Sequence, residues 1–230
     1  TGGRPGDKLT EFDNFFPTNH PLYGTDHEPT AKRPLPGLFV RPHLRYKAAG
    51  VRGEGNSMGR DRFCGLLGAA PCMQALYERV ALAACGRETA LIVGESGTGK
   101  ELVARAIHHQ SGDPTDRFVA VNCAALPRQL MESELFGHAR GSFSGATERR
   151  LGLVREAAGG TLLFDEITEL EVEAQAKLLR LLQERTIRPV GEHRELPVRV
   201  RILASTNEDL AGALSRGKLR RDLYYRLQRW

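Results

Sequence analysis

The stretch GESGTGKE, residues 94–101, decides how the rest of the chain is read. It follows TALIV (89–93), an apolar run with the length and composition of a buried strand. It also opens KELVARAIHHQ (100–110), whose apolar positions recur at helical spacing. Strand, G-x-x-x-x-G-K and helix in that order are the context a phosphate-binding loop requires. Gly94, Gly97 and Gly99 let backbone N–H groups turn inward on phosphate oxygens, and Lys100 supplies a point charge to the outer ones. Glu95, Ser96 and Thr98 complete the loop. Glu101 stands where the usual pattern carries a Ser or Thr whose hydroxyl reaches magnesium. A glycine-rich turn without a ligand is the plain alternative, and it leaves the conjunction of strand, loop pattern and helix unexplained.

Outward from this loop the texture repeats. FVAVN (118–122), TLLFD (161–165) and VRILAS (200–205) read as further strands, and APCMQALYERVALAA (70–84) as a helix. ELEVEAQAKLLRLLQE (169–184) reads as another helix, with Val172, Ala176, Leu179 and Leu182 on one face. Strands separated by helical segments predict an α/β fold: a parallel sheet covered by helices on both faces, built around one core.

The second chemical motif is GGTLLFDEI (159–167), a hydrophobic strand that ends in two acids. Ligands of open α/β sheets bind at the carboxyl ends of the strands, where Asp165 and Glu166 fall. Asp165 suits the shell of a magnesium ion, and Glu166 suits polarising a water for attack on a phosphate. Paired acids at a strand end also cap helices, a weaker explanation beside a phosphate loop.

Composition sets limits on the rest. The chain has 230 residues, 40% of them hydrophobic, and a formal net charge of +5, a mild excess that a solvated basic surface accounts for. Cys64, Cys72, Cys85 and Cys123 form no C-x-x-C pair and no zinc spacing with the histidines, so they read as reduced cysteines. No apolar run approaches the roughly eighteen residues of a membrane span, and no signal-peptide pattern opens the chain, so a cytoplasmic location is expected. Seven of the twelve prolines fall within residues 1–42, and Gly50 to Gly59 is glycine-rich. Residues 1–60 therefore read as linker or disordered segment, with the folded domain at 61–230.

From Phe63 to Leu227 the chain resembles the AAA+ ATPase domain of bacterial enhancer-binding proteins, the activators of sigma-54 RNA polymerase. That family carries GESGTGKE as its phosphate loop, so Glu101 becomes a diagnostic feature. It also carries NCAAL, ELFGH, GAFTGA, GGTLFLDE-like and ATN motifs, matched here by NCAAL, ELFGH, GSFSGA, GGTLLFDE and STN. The resemblance implies a three-layer P-loop NTPase sandwich that hydrolyses ATP with Mg2+, assembles as a hexameric ring and remodels the sigma-54 RNA polymerase holoenzyme. It implies that Asn122 is a switch holding Glu166 back, and that Asn207, with Thr206, senses the γ-phosphate. It aligns Arg220 and Arg226 in KLRRDLYYRL with arginines offered to the neighbouring subunit, a supply in trans that makes hydrolysis depend on assembly. Taken alone, this segment is a basic helix face.

GSFSGA, Gly141 to Ala146, aligns with the family's sigma-54-contacting loop. Gly141 and Gly145 permit tight turns, so the loop reads as a mobile tip offering the Phe143 ring outward, with Ser142 and Ser144 in place of Ala and Thr. Packing of the ring into its own domain is the alternative.

The sequence departs from the family after LQRW. No helical lid, last sheet strand or DNA-binding module comes after it, so the resemblance implies a truncated domain of low stability, with TALIV at an exposed sheet edge and DNA bound only through a module outside the chain. A working ATPase and a non-catalytic remnant that binds nucleotide or partner subunits are the competing functions. An unrelated P-loop kinase would leave GSFSGA without a use.

Overall fold

The computed structural model describes residues 39–41, 62–86, 88–112 and 115–228. Every described element belongs to one unit, from Pro36 onward. The expectation of a linker or disordered segment over 1–60 falls outside the described residues, except at Phe39–Arg41, which forms strand β1.

The strands and helices read from the sequence appear at or within a few residues of their expected positions, among shorter elements that the sequence pattern does not mark. Short β-hairpin strands β2 (Arg62–Phe63) and β3 (Leu66–Leu67) precede helix α1 (Pro71–Cys85), which has proline in its first turn, where no intrahelical N–H partner is lost. Strand β4 (Ala90–Val93) leads through the glycine loop into α2 (Lys100–Gln110), and β5 (Phe118–Asn122) leads into a 3-10 turn and α3 (Arg128–Phe136). A short helix α4 (Leu153–Glu156) precedes β6 (Thr161–Asp165), a 3-10 turn (Ile167–Glu169) and α5 (Val172–Glu184). A small hairpin, β7 (Thr186–Ile187) with β8 (Leu196–Pro197), then β9 (Arg201–Thr206), α6 (Leu210–Ser215) and α7 (Arg221–Leu227), complete the described chain.

The main sheet has the order β1-β4-β9-β6-β5. Four strands run parallel, as expected, and β1 adds to the outside of β4 in antiparallel fashion, pairing Phe39 with Val93 and Arg41 with Leu91. Two expectations are thereby corrected. TALIV is not an edge strand, and the parallel four are joined by a fifth strand drawn from the proline-rich segment. A three-residue strand among glycines and prolines has too short a pattern to register as one.

Side-chain alternation splits the expected single core into two clusters, one on each face of the sheet. Ala90, Ile92, Leu163 and Leu203 pack against α1 and α2 through Val80, Val103 and Ile107. Leu91, Leu162, Phe164, Ile202 and Ala204 pack against α3, α5 and α7 through Leu135, Phe136, Leu178, Leu181 and Leu223. The three layers expected of the fold are thus present. Burying each such Leu, Ile or Phe contributes about 1.5–3 kcal/mol, which is why so many apolar strand positions are needed to order the helices.

The face expected of α5 is corrected in part. Leu182 is buried and Leu179 packs against the core, but Val172 is exposed, and the buried face is centred on Ala174, Gln175, Leu178 and Leu181. Apolar spacing misplaces the centre of the face because the helix turns a glutamine inward.

Candidate nucleotide site

Register brings the candidate residues to one edge. Asn122 pairs with Asp165, and Val93 with Thr206, so the ends of β4, β5, β6 and β9 align and the loops leaving them meet. The Gly94 N–H donates to the Thr206 carbonyl at 3.2 Å, fastening the start of the glycine loop to β9. Gly97 and Gly99 adopt φ of 77° and 86°, a left-handed region costly for other residues, and Gly99 caps α2. The Thr98 hydroxyl donates to the Glu95 carbonyl at 2.8 Å, closing the turn, while Glu95, Ser96, Gly97 and Thr98 remain exposed.

Lys100 is buried. Its ammonium donates to the carbonyls of Gly94 at 3.1 Å and Glu95 at 3.2 Å and stands 3.3 Å from the Glu166 carboxylate. Glu101 points away from this cluster into an ion pair with Arg105 at 2.7 Å, one helical turn on.

Asp165 accepts a hydrogen bond from the Ser205 hydroxyl at 2.6 Å through Oδ1. Glu166 has a left-handed backbone, φ 54°, which turns its side chain back over the sheet edge. Its Oε2 accepts from the Asn207 backbone N–H at 3.0 Å. Glu166 is therefore gripped from two sides, by the glycine-loop lysine and by the end of β9.

Two expected partners are arranged differently. The Asn122 side chain accepts from the Ala124 N–H at 2.9 Å and caps the 3-10 turn after β5, so its oxygen serves the local backbone rather than Glu166. Thr206 is fully buried, with its hydroxyl 3.2 Å from that of Thr168 and accepting from the Glu208 N–H at 3.0 Å. Thr206 thus faces the interior, and Asn207 is the exposed member of the pair.

The negative character of the site is felt by the Cys123 thiol, which is pushed up to about 12 by burial and, secondarily, by Asp165 and Glu166. Among the described residues no group of three or more His, Cys, Asp or Glu converges in a way that would hold a metal alone. Magnesium in phosphate sites is held by one or two carboxylates together with substrate phosphates. Asp165 fits that role, since Ser205 takes Oδ1 and Oδ2 remains for a cation.

Arg220, the N-cap of α7, and Arg226, in its last turn, stand apart from this cluster, where α7 packs on α5. Arg220 forms a two-pronged pair with Asp222 at 2.7 and 3.0 Å, while Arg226 donates to the Leu182 carbonyl at 2.9 Å. The hydrogen bonds from Arg220, chief among its effects, hold the Asp222 carboxyl below its usual range.

A polar network missed in the sequence lies between α7 and the strand ends. Lys218 stands 2.7 Å from Glu169 and 2.9 Å from Glu208, and Arg216 also pairs with Glu208. Burial alone would raise the Glu208 carboxyl, but hydrogen bonds from Lys218, Thr168 and Arg216 hold it below the ordinary glutamate range. Only the charge of these residues is visible in the sequence, not their convergence.

The GSFSGA loop is a closed turn. The Gly141 N–H donates to the Ala146 carbonyl at 2.7 Å, the Ala146 N–H donates to the Phe143 carbonyl at 3.0 Å, and Ala146 is buried. Its base is clamped by the N–H of Ala139 to the Val190 carbonyl and by the N–H of Val190 to the Gly137 carbonyl, both at 2.9 Å. Ser142 lies so close to Gly191 that a methyl group there would come within 2.5 Å of the Ser142 Cβ. The Phe143 ring is 36% exposed, lies outside both core clusters, and rests on the His138 ring with centroids 5.0 Å apart. Ser144 is exposed.

No described helix is long and apolar enough to cross a membrane. In comparison with known proteins, the family model described as "Sigma-54 interaction domain" matches residues 66–230. The chain is similar to the transcriptional regulatory protein GlrR of Escherichia coli K12, with 52% identity over 157 residues, 68% of this chain and 35% of that protein. It is also similar to the Nif-specific regulatory protein of Azotobacter vinelandii, with 46% identity over 187 residues, 81% of this chain and 34% of the relative. The chain thus spans about a third of the length of these relatives. Among solved structures, NtrX from Brucella abortus in complex with ATP superposes with a TM-score of 0.64 at 38% identity, covering 70% of this chain and 35% of that one. The match over most of the chain makes this chain a member of the sigma-54 interaction domain family, the AAA+ module of sigma-54-dependent transcriptional regulators.

Proposed function

We propose that the chain is an ATP-binding and ATP-hydrolysing sigma-54 interaction module, whose turnover remodels the sigma-54 RNA polymerase holoenzyme for open-complex formation. The observation that carries this reading is the convergence of Lys100, Asp165, Glu166 and the Asn207 N–H at the ends of adjacent strands. In this reading the glycine-loop amides and Lys100 hold the phosphates, and Asp165 would hold a magnesium ion, which would supply charge neutralisation on the phosphates. Glu166 leaves Lys100 when the phosphates arrive and turns to accept a proton from the attacking water, while Asn207 contacts the γ-phosphate. Asn122 acts on Glu166 only in a rearranged state, because its oxygen is otherwise engaged with Ala124. Arg220 and Arg226 act on the neighbouring subunit of a ring, and Gly141 to Ala146 present Phe143 to sigma-54.

The Lys100–Glu166 contact also favours a second reading, a module that binds nucleotide or partner subunits without turnover, since Glu166 is engaged in a pair that holds it off water. Steady-state phosphate release by the purified chain separates the two. Release above background that disappears in Lys100→Ala supports the ATPase, and nucleotide binding without release supports the alternative.

A further inference from the structure

Gln175 is the polar residue on the buried face of α5, and it has no exposed surface. Its amide is committed three times. Nε2 donates to the Leu170 carbonyl at 2.8 Å and to the Lys218 carbonyl at 2.7 Å, and Oε1 accepts from the Arg220 N–H at 2.9 Å. One side chain therefore grips both ends of the Lys218–Arg220 segment, immediately before α7, while Leu219 between them is buried. No aliphatic residue of that size could make these bonds, so the polar group is retained at a position where α5 otherwise buries Ala174, Leu178 and Leu181.

The same segment is fastened on its other side. The Lys218 ammonium bridges Glu169 and Glu208. Glu169 donates its backbone N–H to the Glu166 carbonyl at 2.9 Å, and Glu208 directly follows Asn207, whose N–H is bonded to the Glu166 side chain. Hydrogen bonds, ion pairs and the Asn207–Glu208 peptide link thus lead from Glu166 through Glu169, Asn207 and Glu208 to Lys218, and through Gln175 to Arg220.

We propose that Gln175 and Lys218 are positioning residues. Gln175 fixes the backbone from which Arg220 projects, and Lys218 ties that backbone to the two strand ends that bear Glu166 and Asn207, so the arginine's placement follows the state of its own subunit's nucleotide site. The inference rests on the reading of Arg220 as the arginine offered to a neighbouring subunit. It does not depend on which protein the GSFSGA loop contacts.

The test uses the full chain with Gln175→Leu, close in volume and lacking the amide, and Lys218→Met. Amide hydrogen exchange in Gln175→Leu should be about tenfold faster across residues 218–227 and unchanged in β6 and β9. Unchanged exchange at 218–227 overturns the proposal, with or without turnover. In kinetics both variants should lose about tenfold in kcat with the KM for ATP within about twofold of wild type, because the lesion lies on the side facing the neighbour. Mixing Gln175→Leu with Glu166→Gln subunits, which keep ATP bound, should restore turnover, since the second supplies a well-placed Arg220 to the first's intact nucleotide site. Recovery with Glu166→Gln by Arg220→Ala but not by Gln175→Leu overturns the positioning role. Wild-type turnover in Arg220→Ala alone overturns the reading of Arg220, and is told apart because it does not involve Gln175.

Discussion

Lys100 and Glu166 stand 3.3 Å apart, an ammonium and a carboxylate both largely withdrawn from water at the point where two sequence motifs meet. The pair links the function of each residue to the other. In the proposed function, phosphate oxygens arriving at the glycine loop would compete with Glu166 for Lys100, and the carboxylate displaced from lysine would become available to water.

Removal of each partner should therefore have a different effect. Lys100→Ala should abolish ATP binding, while Glu166→Gln should keep or modestly tighten it, because a competing anion is gone, and should stop turnover. Titration calorimetry with ATP and a phosphate-release assay check both. Equal loss of binding in the two variants would remove the assignment of Glu166 to water.

Turnover should climb more steeply than linearly with protein concentration, because a site completed by a neighbour's arginine exists only in assemblies. Arg220→Ala and Arg226→Ala should lose most activity while melting near the wild-type temperature. The Arg220 guanidinium pairs with the half-exposed Asp222, and surface pairs of that kind contribute at most about 1 kcal/mol. Activity strictly proportional to concentration in a species sized as a monomer by ultracentrifugation counts against shared sites.

Phe143→Ala should abolish sigma-54 binding in the presence of a transition-state nucleotide analogue and leave ATP affinity unchanged, since the ring is exposed and lies outside both core clusters. Ser144→Thr should strengthen the complex by adding a methyl to an exposed contact. Gly191→Ala should weaken it without touching the ring, because the new methyl group meets Ser142 and the residue's φ of 77° disfavours a side chain. Gel-filtration capture of the trapped complex reads all three.

Glu208 lies below its ordinary value and Lys218 above its own, the latter through hydrogen bonds to Glu169 and Glu208. A depressed carboxyl stabilises the fold above its unfolded value and loses that effect as pH falls through the folded value. A raised amine stabilises below its unfolded value and loses the effect as pH rises through the folded one. The melting difference between wild type and Lys218→Met should therefore be flat between the ordinary values of 4.5 and 10.5 and shrink outside them. Because these side chains are partly exposed, the difference should not exceed about 1 kcal/mol. A difference that peaks inside that window contradicts the assignment.

Strands β5 and β6 and helix α2 begin and end where their sequence patterns do, because long apolar runs and a glycine loop leave few alternatives. Gly94 through Lys100, and Asp165 and Glu166, likewise lie at the strand ends where the sequence places them. Gln175 cannot be found this way, since a glutamine in an amphipathic helix reads as solvent-facing and its three backbone partners lie five to forty-five positions away. Asn122 and Thr206 sit at the expected strand ends but beside unexpected neighbours, because a side chain's choice between local backbone and a distant partner is made by packing. The clamp of GSFSGA to residues 189–191 joins segments about fifty positions apart and leaves no trace in either stretch.

The antiparallel pairing of Phe39 with Val93 bears on how the sheet edge is protected. β1 is held on one side only and by three residue pairs, whereas β4 also pairs with β9 over four. A short outer strand of this kind opens locally at a lower free energy than the core strands. Its Phe39–Val93 pair lies one residue before Gly94, so opening of β1 would bare the backbone edge of the strand that enters the glycine loop.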